Sequence, residues 1–449
     1  GEEIDRVVWL EFPKSLIDLG LVDANRRFRR ICKAVYGLNQ APRQWFLRLC
    51  AILVELDFVQ SLIDGCLFHL WRDGVLVMSL GFHVDDLLLG GTLEAILWFV
   101  AEFGKRVTIG TLEDTRSFVP QGTGIVSFTG KDLKCYVGAG GVVTKIEIQQ
   151  EAYIRAKLAP ALKDEPHWGK RNGNEPLTPK ECDLYRQVQG KVAWASNTRP
   201  DVACQVSDGA TESHAPTVGG AKRLFRVGER MVETAGLSIT LVPLLLQYLM
   251  IVLFTDGSWA NELGDSANPS SKVRTKGGHL VVLTDSRNLG KTDAIVDLLL
   301  WMSSGLKRVC TSTFDSETLS LLRGYDDAIL LAMLLQEFMR GRALSIVERV
   351  VVAGTSGYKL GQQLHVPVQA YCDAKSVVDA LYTSKWSVRS KRRRVDLASI
   401  KEAHDVDGCV TTWCDTVAQI ADGLTKTPVG RLLENLLRVM QGKATLPPR

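Results

Sequence analysis

Leu249–Trp259 reads LMIVLFTDGSW: an apolar run that ends on an acid. The run predicts a buried central β-strand with Asp256 at its end. Three further acids stand in comparable places: Glu317 in FDSET, Asp373 in YCDAKS and Asp422 in QIADGLTK. The surrounding pattern is strand (GGHLVVLTD), strand (DLLLWMSS), helix (FDSETLSLLRGYDDAILLAMLLQEFMRG), strand (VPVQAYCDAKS), helix, strand (GCVTTWCD), helix. It predicts a mixed sheet with flanking helices. Glu317 falls in the first turn of a helix, Asp373 ends a strand and Asp422 starts the last helix, so the four carboxylates can meet at one sheet edge.

Four carboxylates in one pocket cannot all stay ionised without cations, because like charges at close range raise each other's pKa. Two divalent ions, Mg²⁺ or Mn²⁺, solve this and clamp a phosphodiester for attack by water. The pattern therefore points to metal-dependent nuclease chemistry. Asp315 and Asp326, on the same helix as Glu317, read as solvated residues.

At 449 residues the chain predicts about three domains of ~150 residues. Apolar residues make up 46% and charged residues 23%, the balance of a soluble globular protein. A net charge of +4 argues neither for nor against a nucleic-acid partner, since local patches decide that. Ten cysteines include no C-x-x-C pair, so they read as reduced, mostly buried thiols of an intracellular protein rather than a zinc site. Leu237–Phe254 has the length of a membrane span but contains Pro243 and Gln247. It reads as a linker end and a buried strand, with no membrane partner.

Upstream, Ala41–Val59 has helical spacing with Pro42 at its start, and Gln149–Leu162, Tyr185–Val206 and Gly219–Val232 also read as helices. Phe82-His83-Val84-Asp85-Asp86 reads as the turn of a β-hairpin carrying two acids. The block Lys33–Trp45 (KAVYGLNQAPRQW), then Asp64–Phe68 (DGCLF), that hairpin, and Asn197–Asp201 (NTRPD) follow in order. Together with the four downstream acids, these blocks resemble the reverse transcriptase and ribonuclease H portion of copia-type LTR retrotransposon Pol polyproteins. The resemblance covers nearly the whole chain.

It implies an α/β and α+β multidomain protein: a partial polymerase palm (1–110), a thumb and connection region (111–235), a linker (236–247), a ribonuclease H-like domain (248–430) and a C-terminal tail (431–449). By the same resemblance, Asp85, Asp86, Asp256, Glu317, Asp373 and Asp422 are catalytic metal ligands, two ions to each site. Tyr36, Gly37, Gln40, Arg43 and His83 would lie beside nucleotide or template, while Trp45 and Phe46 read as ordinary helix packing. The implied partners are an RNA–DNA hybrid, an RNA template with DNA primer, dNTPs and the remainder of the polyprotein. The implied location is a cytoplasmic particle or the nucleus.

Two departures bear on polymerisation. His83 stands where the family usually carries Tyr or Phe. The family's first metal-binding aspartate, in a D-x-x-x-A-F-L block, has no counterpart here, so the chain as written is expected not to complete a polymerase site. A catalytically decayed copy that only binds nucleic acid is the competing expectation. Finally, Lys385–Arg394 (KWSVRSKRRR) holds six basic residues, and Lys385, Arg389, Lys391, Arg392, Arg393 and Arg394 read as a strip for phosphates.

Overall fold

The helix Ala41–Glu55 buries Leu49, Ile52 and Leu53, the i, i+3, i+4 spacing of one helical face. It stops at Glu55 instead of reaching Val59, because Asp57 takes a left-handed conformation at φ 64° and turns the chain. Val59–Gln60 then opens a four-stranded antiparallel sheet, β3 (Val59–Gln60), β4 (Leu67–Arg72), β5 (Val75–His83) and β6 (Asp86–Gly91). The helices Ala41–Glu55 and Leu93–Gly104 close one core with this sheet, centred on Phe68, Leu80, Phe82 and Phe99. A separate ribbon pairs β1 (Glu3–Glu11) with β2 (Phe28–Lys33). These elements make up a first compact unit within residues 1–111; the second holds 112–339 and the chain from 352 onward. This is a computed structural model, and it describes residues 3–33, 37–115, 123–164, 166, 168–262, 274–339, 366–383, 388 and 390–449.

The second unit begins with an antiparallel sheet of β7 (Thr123–Phe128), β8 (Lys131–Val137) and β9 (Val143–Gln149), to which β10 (Ile239–Leu241) is added. The stretch 236–247, expected to be a linker, thus holds a strand. Its next residue, Val242, donates its N–H to Asp297 at 2.8 Å. The single helix expected over Tyr185–Val206 is two helices, Pro179–Ala195 and Ala203–Glu212, because Pro200 cannot continue a helix and disfavours one before it. The break is built around Arg199. Its fully buried guanidinium forks onto Asp201 at 2.8 and 2.9 Å, and Arg230 reaches the same carboxylate at 3.0 Å.

The third sheet has the order β15-β14-β11-β12-β13-β16. Its strands are β11 (Leu249–Glu262), β12 (Arg274–Asp285), β13 (Ala294–Gly305), β14 (Val368–Cys372), β15 (Val410–Trp413) and β16 (Lys443–Ala444). Its centre, β11, is antiparallel to β12 and parallel to β14. Alternate residues of β11 feed two cores. Ile251 and Leu253 pack with Leu321, Tyr325 and Ala328 of the long helix Thr313–Met339, while Val252 and Phe254 pack with Leu424, Leu436 and Met440.

Residues 431–449, read from sequence as a tail, are therefore structural: the helix Arg431–Met440 buries Leu436, Val439 and Met440 against the sheet, and β16 pairs with the edge of β13. All ten cysteines are free thiols. Among the described residues, no helix is long and apolar enough to cross a membrane.

Candidate active site

Strand register brings the first two acids together. Thr255 of β11 pairs with Cys372 of β14 in a parallel ladder, so the next residues, Asp256 and Asp373, emerge side by side. Asp422 begins a short helix, Asp422–Thr425, over the face of β11 that carries Phe254. Carboxylate oxygens of Asp256, Asp373 and Asp422 lie within 4.8 Å of one another. Glu317 enters from the other face, in the first turns of the long helix, and shares a second cluster of the same span with Cys372 and Asp373. Gly257 makes this approach possible, since a Cβ there would stand 2.5–2.7 Å from the backbone of Ser316 and Glu317. Ser316 seals the contact by donating its hydroxyl to the Gly257 carbonyl at 3.0 Å.

The cluster is short of positive charge. Burial, then the charge of Asp422, pushes the Asp256 carboxyl up to about 7, against the opposing pull of Lys426 and the Thr425 hydroxyl. Burial and the charges of Asp256 and Asp373 hold Glu317 well above its ordinary value. Asp373 is raised by burial and by Asp422, while the Thr416 hydroxyl, donating at 3.1 Å, pulls it back. Burial and the neighbouring Glu317 keep the Cys372 thiol protonated, so the second cluster offers oxygen donors rather than a thiolate. A set of carboxylate oxygens without sulfur or imidazole suits a hard cation such as Mg²⁺ or Mn²⁺.

Lys426 was not singled out from sequence. Its ammonium lies 2.8 Å from Asp422 and 4.0 Å from Asp256. The Asp422–Lys426 spacing, an acid four residues before a base on a helix, is the signal that could have found it. Thr425, which donates its hydroxyl to Asp256, was missed in the same block.

Raised carboxyls give metal-free stability a definite pH dependence. An aspartate whose folded pKa lies above its unfolded value near 4 holds its proton longer in the folded state, so its contribution is complete at low pH and is lost as pH rises toward 7. Divalent ions compete with those same protons. The expected outcome is that Mn²⁺ raises the melting temperature little at pH 5 and clearly at pH 8. A metal-induced gain that is flat across this range would contradict the carboxylate site.

The basic strip needs correction. Lys391, Arg392 and Arg394 are exposed at the start of the helix Lys391–Asp407, but Arg393 is buried. Arg393 bridges Asp315 at 2.9 Å and Asp396 at 2.7 Å. Asp396 also takes Arg308 at 2.7 Å, and Asp315 accepts from Thr311 at 2.8 Å. Arg393 is thus a strut between two helices, unavailable to a phosphate, because burying its charge requires those partners. Asp315, expected to be solvated, is buried for the same reason, whereas Asp326 is exposed as expected. Lys385 and Arg389 lie outside the described residues.

In the first unit the hairpin forms as expected: His83 pairs with Asp86, leaving Val84 and Asp85 at the tip. Val84 has φ 58°, a costly conformation for a β-branched residue. Trp45 steadies it by donating its indole N–H to the Val84 carbonyl at 2.6 Å, so this side chain does more than the helix packing expected of it. Gly37 turns the chain with φ 96°, Gln40 stands at the N-cap position of the helix that follows without a side-chain cap, and Arg43 is exposed on its first turn. Tyr36 lies outside the described residues. Among the described residues, Asp85 and Asp86 join no cluster of three metal-binding side chains; those clusters lie around the third sheet and its flanking helices.

A retrovirus-related Pol polyprotein from transposon RE2 of Arabidopsis thaliana is 24% identical over 98% of this chain and 27% of its own length. The chain is similar over nearly its whole length to retrovirus-related Pol polyproteins of transposons. The RE1 polyprotein of the same plant is 23% identical over 98% of the chain and 26% of its own length. That of transposon TNT 1-94 from Nicotiana tabacum is 22% identical over 94% and 28%. The chain thus spans about a quarter of the length of these polyproteins. No protein-family model matches it. Among solved structures, LC11-RNase H1, isolated from compost by a metagenomic approach, is similar over 39% of this chain and 91% of its own, with 17% identity and a TM-score of 0.24.

Proposed function

We propose that the second unit hydrolyses the RNA strand of RNA–DNA hybrids at Asp256, Glu317, Asp373 and Asp422. The observation that carries this reading is the convergence of three carboxylates within 4.8 Å, with Glu317 joined to them through Asp373. These residues would hold two Mg²⁺ or Mn²⁺ ions, which when bound supply an activated water and charge stabilisation at phosphorus. The chain's own groups set the geometry. Thr425 orients Asp256, Thr416 orients Asp373, and Lys426 balances part of the acidic charge. Recognition of a hybrid would depend on its A-like minor groove and 2′-hydroxyls rather than on base sequence. The test is hydrolysis of a labelled hybrid with Mg²⁺ or Mn²⁺ beside duplex DNA. Cleavage of the RNA strand alone is expected, and a cooperatively folded chain that cuts nothing in either metal would favour the decayed copy.

The first unit fits the hairpin side of a polymerase palm, and the tie between Trp45 and Val84 favours that second reading because it joins the two motif blocks. Asp85 and Asp86 would be its metal ligands, with Gln40, Arg43 and His83 near the nucleotide. RNA template with DNA primer, dNTPs and the rest of the polyprotein would be its partners, in a cytoplasmic particle or the nucleus.

Of the basic strip, Lys391, Arg392 and Arg394 remain as phosphate contacts. Neutralising Arg392 and Arg394 together is expected to reduce the salt dependence of hybrid binding by roughly 0.7–0.9 in log–log slope per lost contact. An unchanged slope would remove the strip from the interface.

A further inference from the structure

Beside the acids lies a cavity of about 310 Å³. One wall is the helix Ala203–Glu212, from the region preceding the third sheet; the other is formed by the ends of β11, β12 and β13 and the segment after Asp422. Its lining is mainly hydroxyl and ammonium, with Ser207, Thr211, Thr275 and Thr427 beside Lys276 and Lys426, and it also holds the Asp208 carboxylate and the Cys204 thiol. No aromatic or long aliphatic residue lines it, so it suits neither a stacked base nor an acyl chain. Donors of this kind suit a small anionic acceptor.

Lys276 is mostly buried, its side chain 14% exposed, and its ammonium is held by Asp208 and, at 3.3 Å, by the Cys204 sulfur. Lys426 both lines the cavity and lies 2.8 Å from Asp422, so cavity and acid cluster share a wall.

We propose that this cavity seats a backbone phosphate of the strand being cut, next to the one at the carboxylates, with Lys276 as its anchor. Asp208 holds Lys276 until a phosphate takes its place. The assignment of the ligand to a hybrid strand rests on the nuclease reading above. It also makes the helix Ala203–Glu212 part of the substrate site.

Opposite signs distinguish a phosphate seat from a merely structural ion pair. Binding is measured with a labelled RNA–DNA hybrid and the full 449-residue chain carrying Asp256→Asn, so that bound substrate is not cut. Lys276→Gln is expected to weaken binding roughly tenfold or more, the worth of a charge-assisted hydrogen bond. Asp208→Asn frees the ammonium and is expected to tighten binding by about threefold. Lys276→Arg keeps the charge and is expected to retain most of the affinity, which covers the case in which the Gln variant fails to fold.

Both variants shifting affinity in the same direction, or neither shifting it, would overturn the proposal. So would a thermal shift by inorganic phosphate that requires Lys276 while hybrid affinity ignores both substitutions, since the cavity would then hold a free anion. Hydrolysis by the chain with native Asp256 is read separately. Opposite affinity shifts without any hydrolysis would sink the nuclease reading and leave the phosphate seat standing.

Discussion

Asp256→Asn is expected to abolish hydrolysis of hybrids, by roughly a thousandfold or more, while leaving the fold intact. Asp256 neighbours Asp373 by strand register, lies within 4.8 Å of it and of Asp422, and is the strongest charge acting on Glu317, so removing it touches every other carboxylate of the cluster. Asn preserves its shape and can still accept the Thr425 hydroxyl, but it cannot neutralise a cation. The same substitution should stabilise the metal-free protein. At pH 8 the native side chain is ionised in a buried, acid-lined place, whereas the unfolded chain ionises it freely. Removing that charge is expected to raise metal-free stability by on the order of 1 kcal/mol. Cleavage assays and melts with and without Mn²⁺ check both halves. A variant that cuts as fast as the parent chain would place the chemistry elsewhere.

Arg393→Ala is expected to cost about 3–5 kcal/mol of stability, because it leaves two buried carboxylates, Asp315 and Asp396, without their shared cation. The neighbouring Arg392→Ala, at an exposed position, should change stability by no more than about 0.5 kcal/mol. Activity should follow Arg393 as well. Asp315 lies two residues before Glu317 on the same helical turn, so loosening the strut loosens one wall of the acid cluster. Urea melts of the two variants make the comparison, and equal, small effects would return Arg393 to the solvated strip.

That contrast shows where sequence was readable. Apolar runs that end on an acid are strong signals, because a strand buried on both faces must be continuously apolar and can carry a charge only at its end. β11 and β14 were legible for that reason, and their parallel register follows once both are central. The hairpin of β5 and β6 was legible from two apolar runs around a short polar turn. The role of Arg393 was not. Four consecutive basic residues look alike in a sequence, and the one that turns inward is chosen by Asp315, 78 positions earlier in the numbering. The pairing of Lys276 with Asp208, and the packing of Leu436 and Met440 under β11, are equally long-range. The helix break at Pro200 was readable in principle, and it yielded to a strong apolar period on either side.

The position of β16 has a consequence for synthesis. Its partner β13 is complete at Gly305, but β16 and the helix before it come well over a hundred residues later. At ribosomal rates of about 5–20 residues per second, that gap is on the order of ten seconds. Throughout it, the edge of β13 and the apolar face that receives Leu436, Val439 and Met440 have no cover of their own. A nascent chain of this protein therefore presents a sticky sheet for seconds before it can shield it, the interval in which a holdase chaperone or a neighbouring nascent copy would find it.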